Sequence, residues 1–230
     1  TIEVLIGARL NNTLLLSSIV AIIAVPLAVT LGLIAAMFPT SLYDRIVTFT
    51  TLCLVAVPEF FIATMLVLIL AVNLKWLPSI ATMTDFESVG HMLRSLAMPI
   101  ITLTVVLLAQ MARMTRAAVL NVMSSPYIEM AILKGIPRRR IILRHALFNA
   151  IGPIVNIIAV NIAYLVSGVV IVETIFAFPG LAKLMVDGVQ VRDMPLVQAC
   201  GMIFCGTYVV LILISDIASI VSNPRLRHPK

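Results

Sequence analysis

No charged residue occurs between Arg9 and Asp44. A run of that length has few ways to be solvated by water, and the most direct is not to meet water at all. The hydrocarbon core of a bilayer is about 30 Å thick, so roughly 20 apolar residues in a helix cross it. Five stretches meet that requirement: residues 12–37, 47–72, 95–114, 150–172 and 196–221. In lipid an unpaired backbone N–H or C=O has no water to turn to, so each stretch must satisfy itself as a helix. The expected fold is therefore all-α, a polytopic membrane helical bundle with five spans. Pro39, Thr40 and Ser41 close the first span. The second carries Pro58 and Glu59 near its centre and ends at the interface residues Lys75, Trp76 and Pro78. The third is the shortest and holds Pro99 near one end.

Composition agrees. Hydrophobic residues make up 61% of the chain and charged ones 11%, with a mean hydropathy of +1.14, whereas a soluble domain is about 45–50% apolar and about 25% charged. Disorder is excluded by the same values. Three cysteines cannot build a disulfide framework, and Cys53, Cys200 and Cys205 all fall in apolar runs, where they read as small buried hydrophobes. The net charge of +6 is not spread in stripes interleaved with aromatics, so no nucleic-acid partner is expected. It gathers instead in the short connections, above all between Arg113 and Arg144.

Cytoplasmic loops are enriched in Lys and Arg. With alternating spans, one side receives Arg45, the seven basic residues from Arg113 to Arg144, and Arg225, Arg227 and Lys230 of the tail. The other side receives Arg9, Lys75, Arg94, Lys183 and Arg192, together with the acids Glu3, Asp85, Glu87, Glu173, Asp187 and Asp193. The C-terminus is thus expected in the cytoplasm. Five spans would leave the N-terminus outside, and the simpler expectation is one further helix ahead of Thr1, six in the complete protein.

Enzymatic constellations are missing. None of the ten glycines directly precedes a lysine, as a Walker A loop requires. His91, His145 and His228 do not form an HExxH pair, and no G-x-S-x-G elbow occurs. No catalytic, cofactor-binding or metal site is expected.

The informative segment is 113–153. Ser125 can cap a helix whose first position is Pro126, where the missing N–H costs nothing. Gly135 supplies the backbone freedom to end that helix, and Pro137 opens a second one leading into the fourth span. Tyr127, Met130, Ala131 and Lys134 share one face at i, i+3, i+4 and i+7. That face either docks a partner or packs back on its own bundle, and periodicity leaves both open.

Glu129-Met130-Ala131 followed by Gly135 resembles the EAA loop of ABC importer permeases, with Met in place of the second-position Ala. Tyr127-Ile128, Ala131, Lys134-Gly135, Arg139, Arg144-His145-Ala146-Leu147, Asn149-Ala150 and Pro153 are similar to the dipeptide and oligopeptide branch of that family. So are ARLNNTLLLSS, VVIVETIFAFPGLAKLMVDGVQVRDMPLVQA and the terminal NPRLR. The likeness runs from about Arg9 to Arg227, and the resemblance implies one more helix ahead of it.

What this resemblance implies is a single transmembrane domain over residues 1–230 with a coupling-loop region at 113–149. It implies half of a translocation path for dipeptides or oligopeptides in a bacterial or archaeal inner membrane. Its partners would be a homologous second permease subunit, two ATPase subunits that bind the ATP, and an external solute-binding protein. Tyr127, Glu129, Ala131, Lys134 and Gly135 would couple to the ATPase, with Arg138 and Arg139 on the flank. For Arg138 to Arg140 the other reading is positive-inside retention and attraction to anionic headgroups. Nickel and glutathione are carried in the same branch. An ion-coupled secondary transporter is a separate alternative, with Glu59 as its one serious relay residue.

Burying Glu59 in lipid costs about 2.5–3.5 kcal/mol even on a lenient scale, so it should face the bundle interior. With Pro58 it is the candidate for the translocation path, set against a packing role for a neutral glutamate. Asp216 reads as a helix-packing or interface contact. Leu181 to Val189 is amphipathic after the Pro179-Gly180 turn, either partly re-entrant against a binding protein or solvated, and Lys183 can pair weakly with Asp187.

Overall fold

The computed structural model describes residues 2–83, 88–137 and 140–222. Eight α-helices follow one another in the described residues: α1 Ile2–Met37, α2 Leu42–Ala56, α3 Glu59–Leu66, α4 Val89–Met123, α5 Pro126–Leu133, α6 Leu147–Ile175, α7 Leu181–Gln190 and α8 Met194–Ser222. Wide π-type turns extend α3 over Val67–Asn73 and lead into α6 over Ile141–Ala146. No strand occurs among the described residues. The all-α expectation holds, and α1, α4, α6 and α8 contain stretches long and apolar enough to cross a bilayer.

The second span differs from expectation. Instead of one kinked helix over 47–72, α2 stops at Ala56 and α3 starts at Glu59, their axes turned by 98°. Pro58 sits in extended backbone at φ −60° and ψ 142°. Its missing N–H and its restriction on the preceding residue end α2, and its carbonyl accepts the Phe61 and Ile62 amides to start α3. The third span is longer than the 20 or so residues a bilayer needs, since α4 runs from Val89 through Pro99 to Met123. Cys200 is buried as expected, but Cys53 and Cys205 are exposed on apolar helix faces that lipid or a partner can cover.

Contacts within the chain divide it into two compact units. One comprises Thr1–Ala24, Ala56–Val106 and Ile162–Val210. Its core is Ile6, Leu181, Leu184, Leu196 and Cys200, so the amphipathic α7 packs its apolar side on α1 and α8 residues. Here Glu173, expected on the external side, is wholly buried. The Thr13 hydroxyl donates to Glu173 Oε1 at 2.6 Å, and the Lys183 amide donates to Oε2 at 2.9 Å. The Leu181 amide donates to Thr13 Oγ1 at 2.8 Å, and Asn12 Nδ2 donates to the Pro179 carbonyl at 2.8 Å. Glu173 thus does for α7 what an N-cap side chain does, since Gly180 at the cap has none to offer. A Cβ at Gly180 would run into that carboxylate. Burial pushes the Glu173 carboxyl up, and the Thr13, Lys183 and Ala182 donors and the Arg9 charge pull it back. The predicted Lys183–Asp187 pair forms at 3.0 Å.

The other unit comprises Val25–Val55, Leu107–Asn161 and the chain from Leu211 onward. Ala36, Val119, Ala150 and Ile154 form its core with Val29, Leu33, Leu120 and Ile158 around them. Gly32 of α1 lies against α4 so closely that a Cβ would stand 2.6 Å from the Ala112 carbonyl oxygen and 2.8 Å from Thr115 Cβ. In a bilayer, helices gain little from hiding apolar surface, and close backbone approach at small residues supplies the packing. Ser215 of α8 donates to Asn156 Oδ1 at 2.8 Å, a second inter-helix tie.

Gly32→Ala should lower thermal stability in detergent by about 1–3 kcal/mol, because the obstacle is rigid helix backbone. Gly7→Ala, with nothing within 4 Å, should not lower it.

Candidate functional site

Helix α5 lies in this second unit, and its sequence explains its two sides. Ile128 is wholly buried and Ala131 is 8% exposed. With Ile141 and Ala146 they form a small core against Val122 and Met123, and Tyr127 and Ile136 close it. Positions 128 and 131 are one turn apart, so this face is seated on the end of α4 and on the turn that leads into α6. The opposite side is open: Met130 is 55%, Ile132 57% and Leu133 75% exposed, beside exposed Glu129 and Lys134.

Of the two readings left open by periodicity, packing on the chain's own unit is seen at Ile128 and Ala131, while Met130, Ile132 and Leu133 stay exposed. Ala131, on the face for which docking and packing back were both open, points into its own unit. Tyr127 is half-buried, and its hydroxyl is buried without a hydrogen-bond partner among the described residues. Glu129, Lys134 and Gly135 are on the outside, and the apolar tip is Met130, Ile132 and Leu133. The signal for the buried side was Ile128 with Ala131 and Ile141, which a single-face count starting at Tyr127 passes over.

The helix ends behave partly as expected. Ser125 occupies the N-cap, but its hydroxyl donates back to the Val122 carbonyl rather than capping α5, and Pro126 at the first helical position needs no acceptor. Gly135 has φ +73°, the left-handed conformation that stops a helix, and its amide and that of Ile136 return to the Ile132 and Ala131 carbonyls. The Pro137 carbonyl then accepts the Arg140 and Ile141 amides, opening the wide turn into α6. Arg138 and Arg139 lie outside the described residues.

Beside this segment stands a pair that sequence reasoning missed. Arg116 of α4 donates through Nε to Asp44 Oδ1 and through Nη2 to Asp44 Oδ2 at 2.8 Å. Asp44, at the start of α2, is only 3% exposed. The Thr40 amide also donates to Oδ2 at 2.9 Å, and the Asp44 amide donates to Ser41 Oγ at 3.1 Å. The available signal was Asp44 as the first charge after a charge-free run.

Glu59 occupies the first position of α3 and is half-buried, with Oε1 buried and unpartnered. No group of His, Cys, Asp and Glu suited to a metal ion occurs among the described residues.

Residues 28–228 match the family of binding-protein-dependent transport system inner membrane components. Oligopeptide transport system permease protein AppB of Bacillus subtilis is 35% identical over 97% of this chain and 72% of its own length. A probable peptide ABC transporter permease protein, y4tP of Sinorhizobium fredii, is 34% identical over 97% of this chain and 72% of its own. In fold, the chain is similar to one from inward facing conformations of the MetNI methionine ABC transporter, with a TM-score of 0.71 over 96% of this chain and 97% of that one at 17% identity.

Ile128→Ala should cost about 2–5 kcal/mol of local packing, read as faster hydrogen exchange throughout α5. Leu133→Ala, on the open side, should leave that exchange unchanged.

Proposed function

The chain belongs to the family of binding-protein-dependent transport system inner membrane components, and from that premise we propose that it is the permease half of an ATP-driven peptide importer. Membership makes it a multi-pass membrane transport component. The peptide cargo rests on the printed names of relatives matched over nearly the whole chain.

The observation that carries the mechanism is the two-sidedness of α5. A helix that transmits force needs one face bolted to its own bundle and another free for the motor. Ile128 and Ala131 are the bolt, and Met130, Ile132 and Leu133, flanked by Glu129 and Lys134, are the free tip. Two such permeases would each seat this tip in an ATPase subunit, and an external solute-binding protein would deliver the peptide. ATP is bound and hydrolysed on the ATPase subunits, in keeping with the lack of a Gly-Lys phosphate loop in this chain. The basic segment around α5 and the basic tail lie in the cytoplasm, as the distribution of Lys and Arg favours. Tyr127, half-buried, orients α5, and Gly135 sets the turn that aims it. When the ATPases close around ATP, α5 is pushed as a rigid body and the spans switch between two packings. Pro58 and Glu59, at the break of the second span, line the path. Non-helical backbone at membrane depth is tolerated where it faces a cavity or protein.

The test uses the intact assembly of permeases, ATPases and binding protein in vesicles. Leu133→Cys should crosslink to an ATPase subunit, and Ile128→Cys should not. Gly135→Pro, which cannot adopt φ +73°, should insert normally and abolish uptake. Absence of any crosslink from position 133 in a transporting assembly, or uptake by this chain without ATPases, overturns the reading.

A further inference from the structure

The Asp44–Arg116 pair sits where a moving coupling helix would have to hand its displacement on. Arg116 is two turns before the end of α4 at Met123, and α5 is packed on Val122 and Met123 through Ile128 and Ala131. Motion of α5 therefore carries the end of α4 with it. Just before Arg116, Ala112 lies against Gly32 of α1 through its backbone carbonyl and Thr115 through its side chain. That contact sets how closely α1 and α4 approach and pairs no polar groups. The bidentate guanidinium–carboxylate fork adds an angular constraint between α4 and α2, because both of its hydrogen bonds hold only while the two planes stay aligned.

Asp44 is fastened on its own side as well. Its carboxylate accepts the Thr40 amide at 2.9 Å and the Thr48 hydroxyl at 3.4 Å, and its amide donates to Ser41 Oγ. Thr40 is held at φ +66°, so the α1–α2 connection is a shaped piece of backbone rather than a loose link. From Asp44, α2 runs without interruption to Ala56 and the break at Pro58.

A buried ion pair contributes little net stability relative to well-packed apolar residues, and its best-attested use is to specify one arrangement among several. In a chain dissolved in lipid, apolar side chains at 44 and 116 would have served packing equally well. We propose that the Asp44–Arg116 fork is the joint that turns displacement of α5 and α4 into displacement of α2, making both residues positioning residues for coupling. The inference rests on the docking role assigned to α5, and its failure can be told apart from failure of that role.

The experiment compares Arg116→Lys, Asp44→Asn and the exchange pair Asp44→Arg with Arg116→Asp in the complete transporter, measuring peptide taken up per ATP hydrolysed, thermal stability and the Leu133→Cys crosslink. Arg116→Lys keeps the charge and loses the fork. Uptake per ATP should fall about tenfold, the effect of losing one charge-assisted hydrogen bond, while the crosslink and melting temperature hold. Asp44→Asn should behave alike, and the exchange pair should recover part of the ratio. An unchanged ratio in Arg116→Lys overturns the inference and leaves the docking reading standing, whereas a missing crosslink in the parent overturns the docking reading. If every variant fails to assemble, the pair is a folding element only and the inference is overturned.

Discussion

Lipid cannot solvate a charge, and the surroundings of Asp44, Glu59 and Glu173 show how differently that constraint can be met. Asp44 is neutralised by a guanidinium fork from α4. Glu173 is surrounded by donors from Thr13 and from the first amides of α7. Glu59 has one oxygen buried with no partner. The first two arrangements tie elements together that are far apart in sequence, and the third leaves a polar group without a structural occupation, next to the break in the second span. A buried oxygen without a partner among the described residues is a cost without compensation, and it sets Glu59 apart from the other two acids.

The same solvent sets how the helices hold on to one another. Apolar faces are exposed along α8 and much of α2 because lipid or another subunit covers them, so hydrophobic burial does little of the fastening. Small residues and polar ties do more: Gly32 on Ala112 and Thr115, Ser215 on Asn156, and Thr13 on Glu173. Helix α5 is an exception. It carries a small aliphatic core of the water-soluble kind, with Ile128 buried at its centre, and presents its remaining apolar residues outward. A short helix would be marginal alone, and that core is what holds it in place.

Legibility in the sequence varied with the range of the interaction. Gly135 was readable as a stop because only a left-handed turn explains a glycine there followed by Ile136-Pro137, and its φ is +73°. Pro58 was readable as a disturbance, but not as a full break, since a proline within lipid can kink a helix or end it, and the choice depends on what the freed carbonyls meet. Ser125 was misread as a capping side chain because a hydroxyl at an N-cap can turn back to the preceding turn, as it does to Val122. The face of α5 was only partly legible: Ile128 completes the inward side with Ala131 and Tyr127, and that is decided by Ile141 and Ala146, more than ten residues away.

Residue order alone determined that this chain is helical, that it crosses a bilayer about five times, which segments are rich in cations and where the short helix between two spans begins and ends. Those properties depend on solvation and on local backbone geometry, which act over a turn or two. Tertiary structure decided that Asp44 faces Arg116, that Glu173 is the surrogate cap of α7, and that Ala131 is buried while Met130, Ile132 and Leu133 are exposed. Each of those depends on which helices become neighbours, and in lipid that choice is made by close fit and by pairing of polar groups across long stretches of sequence, which no local pattern records.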